Sequence, residues 1–338
     1  MKVPTPDATW SPEQVADWIE WHLLFSPERQ LSRASLRDQL DEEPGTDDLV
    51  IYDEQDFGDL EQDDVRADRE DMRVAKSEGL AIADSLSTDA FLTLENRASF
   101  VGPNYPLRID HDLISRTVDN WGDAAPYSFM VALNARYIYK LSPVTNQPSR
   151  LFERLVTVAL QEYTQGEAEH FGWPRSGPPN TKSFPNVFPG LVQRLGERML
   201  IPIRDVPGRI RDHDVDGFAW RAFGDRRRGQ LIFMCQCAIG ADWDTKAINP
   251  DTWAPLVRFA VTPVRASAFP FVPAAMRPMN DLEYELLSSY VGLWFDRLRL
   301  GQLVSTDKLD SDLRNEIVSY VEELISSTAI ANTEEYAG

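Results

Sequence analysis

The hydrophobic positions of this chain change their period along its length. Val15, Trp18, Ile19, Trp21 and Leu24 recur at helical spacing, which predicts one apolar face of an α-helix. Ser11-Pro12-Glu13-Gln14 opens that helix with a capping serine, a proline at the first helical position and a glutamine that completes a capping box. Periodicity is weak over 41–70. A helix is expected again over Val65–Ser85, then a shorter piece at Ala90–Asn96 and a Gly102-Pro103-Asn104-Tyr105-Pro106 turn. Tyr127–Leu141, with Phe129, Val131, Leu133, Tyr137 and Ile138, predicts a buried helix. Leu151–Tyr163 predicts an amphipathic helix with Phe152, Leu155, Val156, Ala159 and Leu160 inward. Val187–Leu200 predicts another, starting near Pro189. Residues 201–260 have β character. Helical spacing returns in Leu282, Leu286, Tyr290, Leu293 and Leu298, read as one segment, and in Leu313, Ile317, Tyr320, Val321 and Leu324.

This order predicts an α+β protein. A helical N-terminal domain spans 1–145 with an acidic insertion at 41–70. An αβ domain with a central mixed sheet and C-terminal helices spans 146–338, after a linker at Pro143–Pro148. A length of 338 residues agrees with about two domains. Composition excludes global disorder and collagen-like or disulfide-scaffold classes, because 43% of residues are hydrophobic and only Cys235 and Cys237 are cysteines. Two cysteines this close on a strand suit a reduced setting as small core residues. The absence of an apolar leader or spanning run adds to the expectation of a cytoplasmic protein. Four histidines without ligand spacing argue against a structural zinc.

The net charge of −20 disfavours a nucleic-acid partner until it is located. Residues 1–90 carry −16, of which 41–70 carry −12, whereas 171–280 sum to +6. The acidic run reads as a solvated insertion or as a docking segment for a basic partner. The middle of the chain is locally basic.

That middle holds the most informative stretch. His213-Asp214-Val215-Asp216-Gly217-Phe218-Ala219-Trp220-Arg221 and Gln230-Leu231-Ile232-Phe233-Met234-Cys235-Gln236-Cys237-Ala238 flank a glycine-bounded basic turn, a hairpin signal. If Ala222 pairs with Gln230, Asp216 lies opposite Gln236 on one side of the sheet. A one-residue slip separates them. Two polar side chains entering an apolar sheet are costly without partners. Carboxylate and amide oxygens are hard ligands suited to Mg²⁺. Lys246, beyond Gly240-Ala241-Asp242-Trp243, can fold back to orient a water or offset charge on a phosphate.

Over roughly 149–265 this arrangement resembles the PD-(D/E)XK, or restriction-endonuclease-like, nuclease superfamily. Leu151-Phe152-Glu153-Arg154-Leu155 stands where the family carries a helical Glu. Asp216 stands at the first Asp, and Gln236 at the second acidic position. The resemblance implies Mg²⁺- or Mn²⁺-dependent phosphodiester hydrolysis of DNA in an anti-phage or restriction system. Asp216 and Gln236 would hold metal, with Glu153 assisting and Lys246 as the amine. Gln236 departs from the family's carboxylate, and Ala238 occupies the usual Lys position; Lys246 or Lys182 would then supply the amine. The alternative is a catalytically inactive nuclease-fold subunit that binds a partner protein or DNA in a defence complex.

Plainer readings stand beside these. Asp216 also reads as a hairpin residue, Gln236 as a hydrogen-bonding core residue, Glu153 as a solvated helix residue and Lys246 as a surface lysine. Asp214 becomes the ligand if the register shifts, and His213 reads as an exposed neighbour. Arg175, Arg209, Arg211, Arg226, Arg227 and Arg228, with Arg204 and Arg221, are candidate phosphate contacts or solvated loop charge. Trp173 is a candidate for base stacking or core. No Walker A loop, Gly-x-Ser-x-Gly or zinc-hydrolase helix occurs.

Overall fold

The computed structural model describes residues 4–41, 62–141, 148–172, 183–206 and 211–334, except 226, 241 and 278. The expected linker, apart from Pro148, lies outside them, as does most of the acidic run. Contacts divide the chain into two units: Val3–Ser99 with Leu107–Thr117, and Phe100–Pro106 with Val118–Gly338.

The first unit comprises α1 (Pro12–Phe25), β1 (Gln30–Ser32), α2 (Arg33–Asp41), all but the last turn of α3 (Gln62–Val101), β2 (Leu107–Asp110) and β3 (Leu113–Arg116). The strands form an antiparallel sheet in the order β1-β3-β2. α1 starts at the expected capping box, with Ser11 Oγ accepting from Gln14 N and Gln14 Oε1 accepting from Ser11 N. α3 is continuous where a helix and a separate short piece were expected. The residues between them stay helical because Leu86 continues the buried stripe across the gap; Ser87 and Thr88 satisfy their hydroxyls by donating back to Asp84 O. Ala83, Leu86, Ala90, Phe91 and Leu94 form its buried stripe.

The second unit holds α4 (Ala125–Ile138), α5 (Pro148–Thr164), β4 (Glu167–His170), α6 (Phe184–Arg194), β5 (Arg198–Met199), β6 (Gly217–Arg221), β7 (Leu231–Cys237), β8 (Val257–Arg258), β9 (Val264–Ala268), α7 (Pro273–Met276), α8 (Asp281–Val291), β10 (Leu293–Phe295), α9 (Arg297–Leu303) and α10 (Ser311–Glu334). Its main sheet is mixed, in the order β10-β9-β7-β6-β4. The pairs β4–β6 and β6–β7 are antiparallel; β7–β9 and β9–β10 are parallel. The chain is therefore α+β with a central mixed sheet.

Strand alternation sends the two faces of the β6–β7 hairpin into different layers. Phe218, Trp220, Ile232 and Met234 enter a core with Phe171, Phe184, Phe188 and Trp253. Ala219 and Phe233 face α5, whose Tyr163 meets the Phe233 ring edge-on at 5.8 Å. α4, expected over 127–141, is buried along nearly its whole length and belongs to the same unit as the sheet.

Two helix expectations are corrected. α6 begins at Phe184 rather than near Pro189, because Pro185 suits the first turn; it ends at Arg194, and 198–199 pair with β8 instead. The apolar series from Leu282 to Leu298 is not one helix. Gly292 (φ 93°) ends α8, and a Cβ there would lie 2.3 Å from Arg265 O. The glycine lets the chain turn and lay β10 beside β9. Among the described residues no helix is long and apolar enough to cross a membrane.

Candidate active site

The hairpin register is the one that brings Asp216 and Gln236 together. Gly217 pairs with Cys235 and Arg221 with Leu231, the expected register; the ladder ends at Gly217, and Asp216, one residue before it, is tied to β7 by two further bonds. Asp216 N donates to Cys235 O at 2.8 Å, and Cys237 N donates to Asp216 Oδ2 at 2.7 Å. Both polar residues sit at the open end of the strands, just beyond the aromatic core.

Glu153 reaches the same place from α5. The helix packs over the sheet through Phe152, Leu155, Val156, Ala159 and Leu160, all buried as expected, which turns Glu153 toward the strand ends. Lys246 follows a short 3₁₀ turn at Trp243–Thr245. Trp243 is buried against Phe269, Phe271 and Trp294, and this anchor folds the loop back to the end of β7. Lys246 Nζ lies 3.5 Å from Asp242 Oδ2.

Glu153, Asp216, Gln236 and Lys246 line one cavity of about 400 Å³, together with Asp212, Asp214, Asp242 and Cys237. Five carboxylates against one amine make it strongly negative. Burial, and next the charge of Glu153, push the Asp216 carboxyl up to about 7; the Cys237 N–H and Lys246 oppose the shift. Gln236 Oε1 is buried without a hydrogen-bond partner. Gly172 lies between the two acids: a Cβ there would meet Glu153 Oε2 at 2.3 Å and Asp216 Oδ1 at 3.1 Å.

These features fit a hard divalent cation. A carboxylate that holds its proton near neutrality because of burial and a second acid is what a cation relieves, and the orphaned amide oxygen is a further hard donor. Among the described residues no three His, Cys, Asp or Glu side chains are grouped to hold a metal by themselves. Two carboxylates and an amide, completed by water, are what Mg²⁺ commonly accepts.

Other expected residues lie elsewhere. Arg227 and Arg228 occupy the turn end of the hairpin, more than five strand residues and thus roughly 17 Å from Asp216. Arg227 is exposed, whereas Arg228 is held by Glu197 (3.1 Å) and Arg258 O (2.6 Å). Arg211 is exposed next to the cavity-lining Asp212. Arg175, Arg209, Arg226, Trp173 and Lys182 lie outside the described residues. Ala238 is buried in the core with Trp243 and Phe269. Both cysteines are free, and Cys237 lines the cavity.

His213 is not exposed as expected. Its ring packs against Phe184 (5.5 Å) and Trp253 (5.4 Å), and burial lowers its pKa. His213 and Asp214 both have positive φ, 54° and 62°, a tight turn that the half-buried ring anchors.

Sequence reasoning missed His170. Its Nε2 lies 2.7 Å from Glu153 Oε2, and its position on β4 pairs with Gly217, next to Asp216. β4 has a charged Glu-Ala-Glu-His pattern with no apolar alternation, and only Gly166 before it hints at a turn into a strand; in the structure a Cβ at Gly166 would lie 2.1 Å from Trp220 O. Comparison of the chain with protein-family models, curated proteins and solved structures finds no match.

Proposed function

We propose that this chain is a metal-dependent nuclease that hydrolyses phosphodiester bonds in DNA, as an effector or subunit of an anti-phage or restriction system. One observation carries the reading: Glu153 from α5, Asp216 just before β6, Gln236 near the end of β7 and Lys246 from a loop line a single cavity. Asp216 and Gln236 would hold the cation, and Glu153 would add the second carboxylate. A bound Mg²⁺ or Mn²⁺ supplies Lewis-acid stabilisation of charge on the phosphate. Lys246 contributes the positive charge that the acidic lining otherwise lacks, and its amine orients the attacking water. Asp216, with a carboxyl poised near 7, would have to give up that proton to serve as a ligand.

Replacing Asp216 tests this directly. Purified protein with plasmid and Mg²⁺ or Mn²⁺ is expected to cleave, and Asp216→Ala to lower the rate by at least about a hundredfold with unchanged circular dichroism. Unchanged cleavage in that variant removes the assignment.

The second reading is a nuclease-fold subunit without catalysis. It is favoured by Ala238, which is buried in the core where the family carries its amine, and by the Lys246–Asp242 ion pair. It predicts DNA or partner binding with no cleavage under either ion, unaffected by Lys246→Ala.

A further inference from the structure

Segment 170–172 joins the two acids that the proposed centre needs. Phe171 N and Gly172 N both donate to Asp216 O, at 2.7 and 2.9 Å. His170, one residue earlier, reaches Glu153 Oε2 at 2.7 Å. The strand end is thus bolted to the Asp216 backbone on one side and to the Glu153 side chain on the other. Gly172 leaves the space between the carboxylates: a Cβ there would meet Glu153 Oε2 at 2.3 Å, so Glu153 would have to shift.

The chemistry of the contact sets its direction. An ionised carboxylate only accepts hydrogen bonds, so His170 Nε2 carries the hydrogen. One oxygen of Glu153 is then occupied, and its rotamer is held. Without that bond, the Glu153 side chain regains rotamer freedom. A donor that bonds a ligand's outer oxygen fixes the orientation of a ligand it does not replace.

We propose that His170 is a positioning residue that aims Glu153 at the cation shared with Asp216 and Gln236. The inference rests on the metal-dependent reading above and adds to it a residue outside the resemblance.

Direct titration with Mn²⁺, followed by calorimetry in the absence of DNA, tests it on the full chain. His170→Phe keeps a ring on the strand and removes the donor, whereas His170→Gln retains an N–H. His170→Phe is expected to weaken Mn²⁺ binding about 10–100-fold, and His170→Gln by no more than about threefold. Glu153→Gln should weaken binding as His170→Phe does, and the double variant no further, because both changes remove one coupled unit. Thermal melts of the two His170 variants report whether the strand survives; if His170→Phe does not fold, Glu153→Gln with and without His170→Gln carries the same comparison. Wild-type binding with His170→Phe unaffected, or additive losses in the double variant, overturns the positioning role and leaves the nuclease reading standing. Absence of Mn²⁺ binding by the wild type overturns both.

Discussion

Asp216 is the residue on which the site turns. Its folded-state carboxyl lies near 7 because burial and Glu153 disfavour the ionised form, whereas the unfolded chain has the ordinary value of 3.8. Between those values the native state binds more protons than the unfolded one, so stability from this group falls as pH rises from about 4 to 7. Asp216→Asn removes that penalty. The variant should be more stable than the wild type at pH 8, by on the order of 1 kcal/mol or more, and no more stable at pH 4; equal differences at both pH values would contradict the linkage. Cation binding has the opposite dependence. Below 7 the proton must leave for the ion to enter, so wild-type Mn²⁺ affinity should rise with pH up to about 7 and then level off. Titrations at three pH values measure this.

Among the elements, the junction of α8 and β10 is the most sharply specified. Leu282, Leu286 and Tyr290 remain exposed on α8, while Trp294 and Phe295 are buried on β10. A helical period therefore ran on through residues that belong to a strand. Gly292 separates them, by its positive φ and its approach to Arg265 O. Gly292→Ala is expected to cost at least about 2 kcal/mol, read as a lower denaturant midpoint, and to act mainly on the β9–β10 edge. Hydrogen exchange confined to that edge is the expected signature; an unchanged midpoint would show that the turn tolerates a side chain.

The charge of the whole molecule has a separate consequence. Residues 42–61 contain nine acidic and no basic side chains, and the cavity adds five carboxylates. Both repel phosphate. Deleting 42–61 should strengthen DNA binding severalfold at about 0.05 M salt, and the gain should vanish near 1 M, where the screening length is only about 3 Å. Filter binding across a salt series checks this. A gain that persists at high salt would mean that the segment acts by contact rather than by charge.

Much of the molecule was legible in its residues because local rules govern those parts. Capping chemistry placed α1, amphipathic spacing placed α5 and α10, and alternation around a basic turn placed the β6–β7 hairpin with its register. That register put Asp216 and Gln236 at the same end of the hairpin, since position along paired strands follows from counting. What counting does not reach is any contact between residues distant in sequence. The Glu153–His170 bond joins two elements whose sequence patterns do not refer to each other. The basic turn looked close to Asp216 because only a few residues separate them, yet an extended strand carries it to the far end of the sheet. His213 looked exposed among aspartates until α6 and Trp253 closed over its ring. Period and parity are properties of one segment and can be read along the chain. Which segments meet, and so which acid gains a proton, which amide oxygen loses its partner and which histidine becomes a clamp, arises from packing in three dimensions.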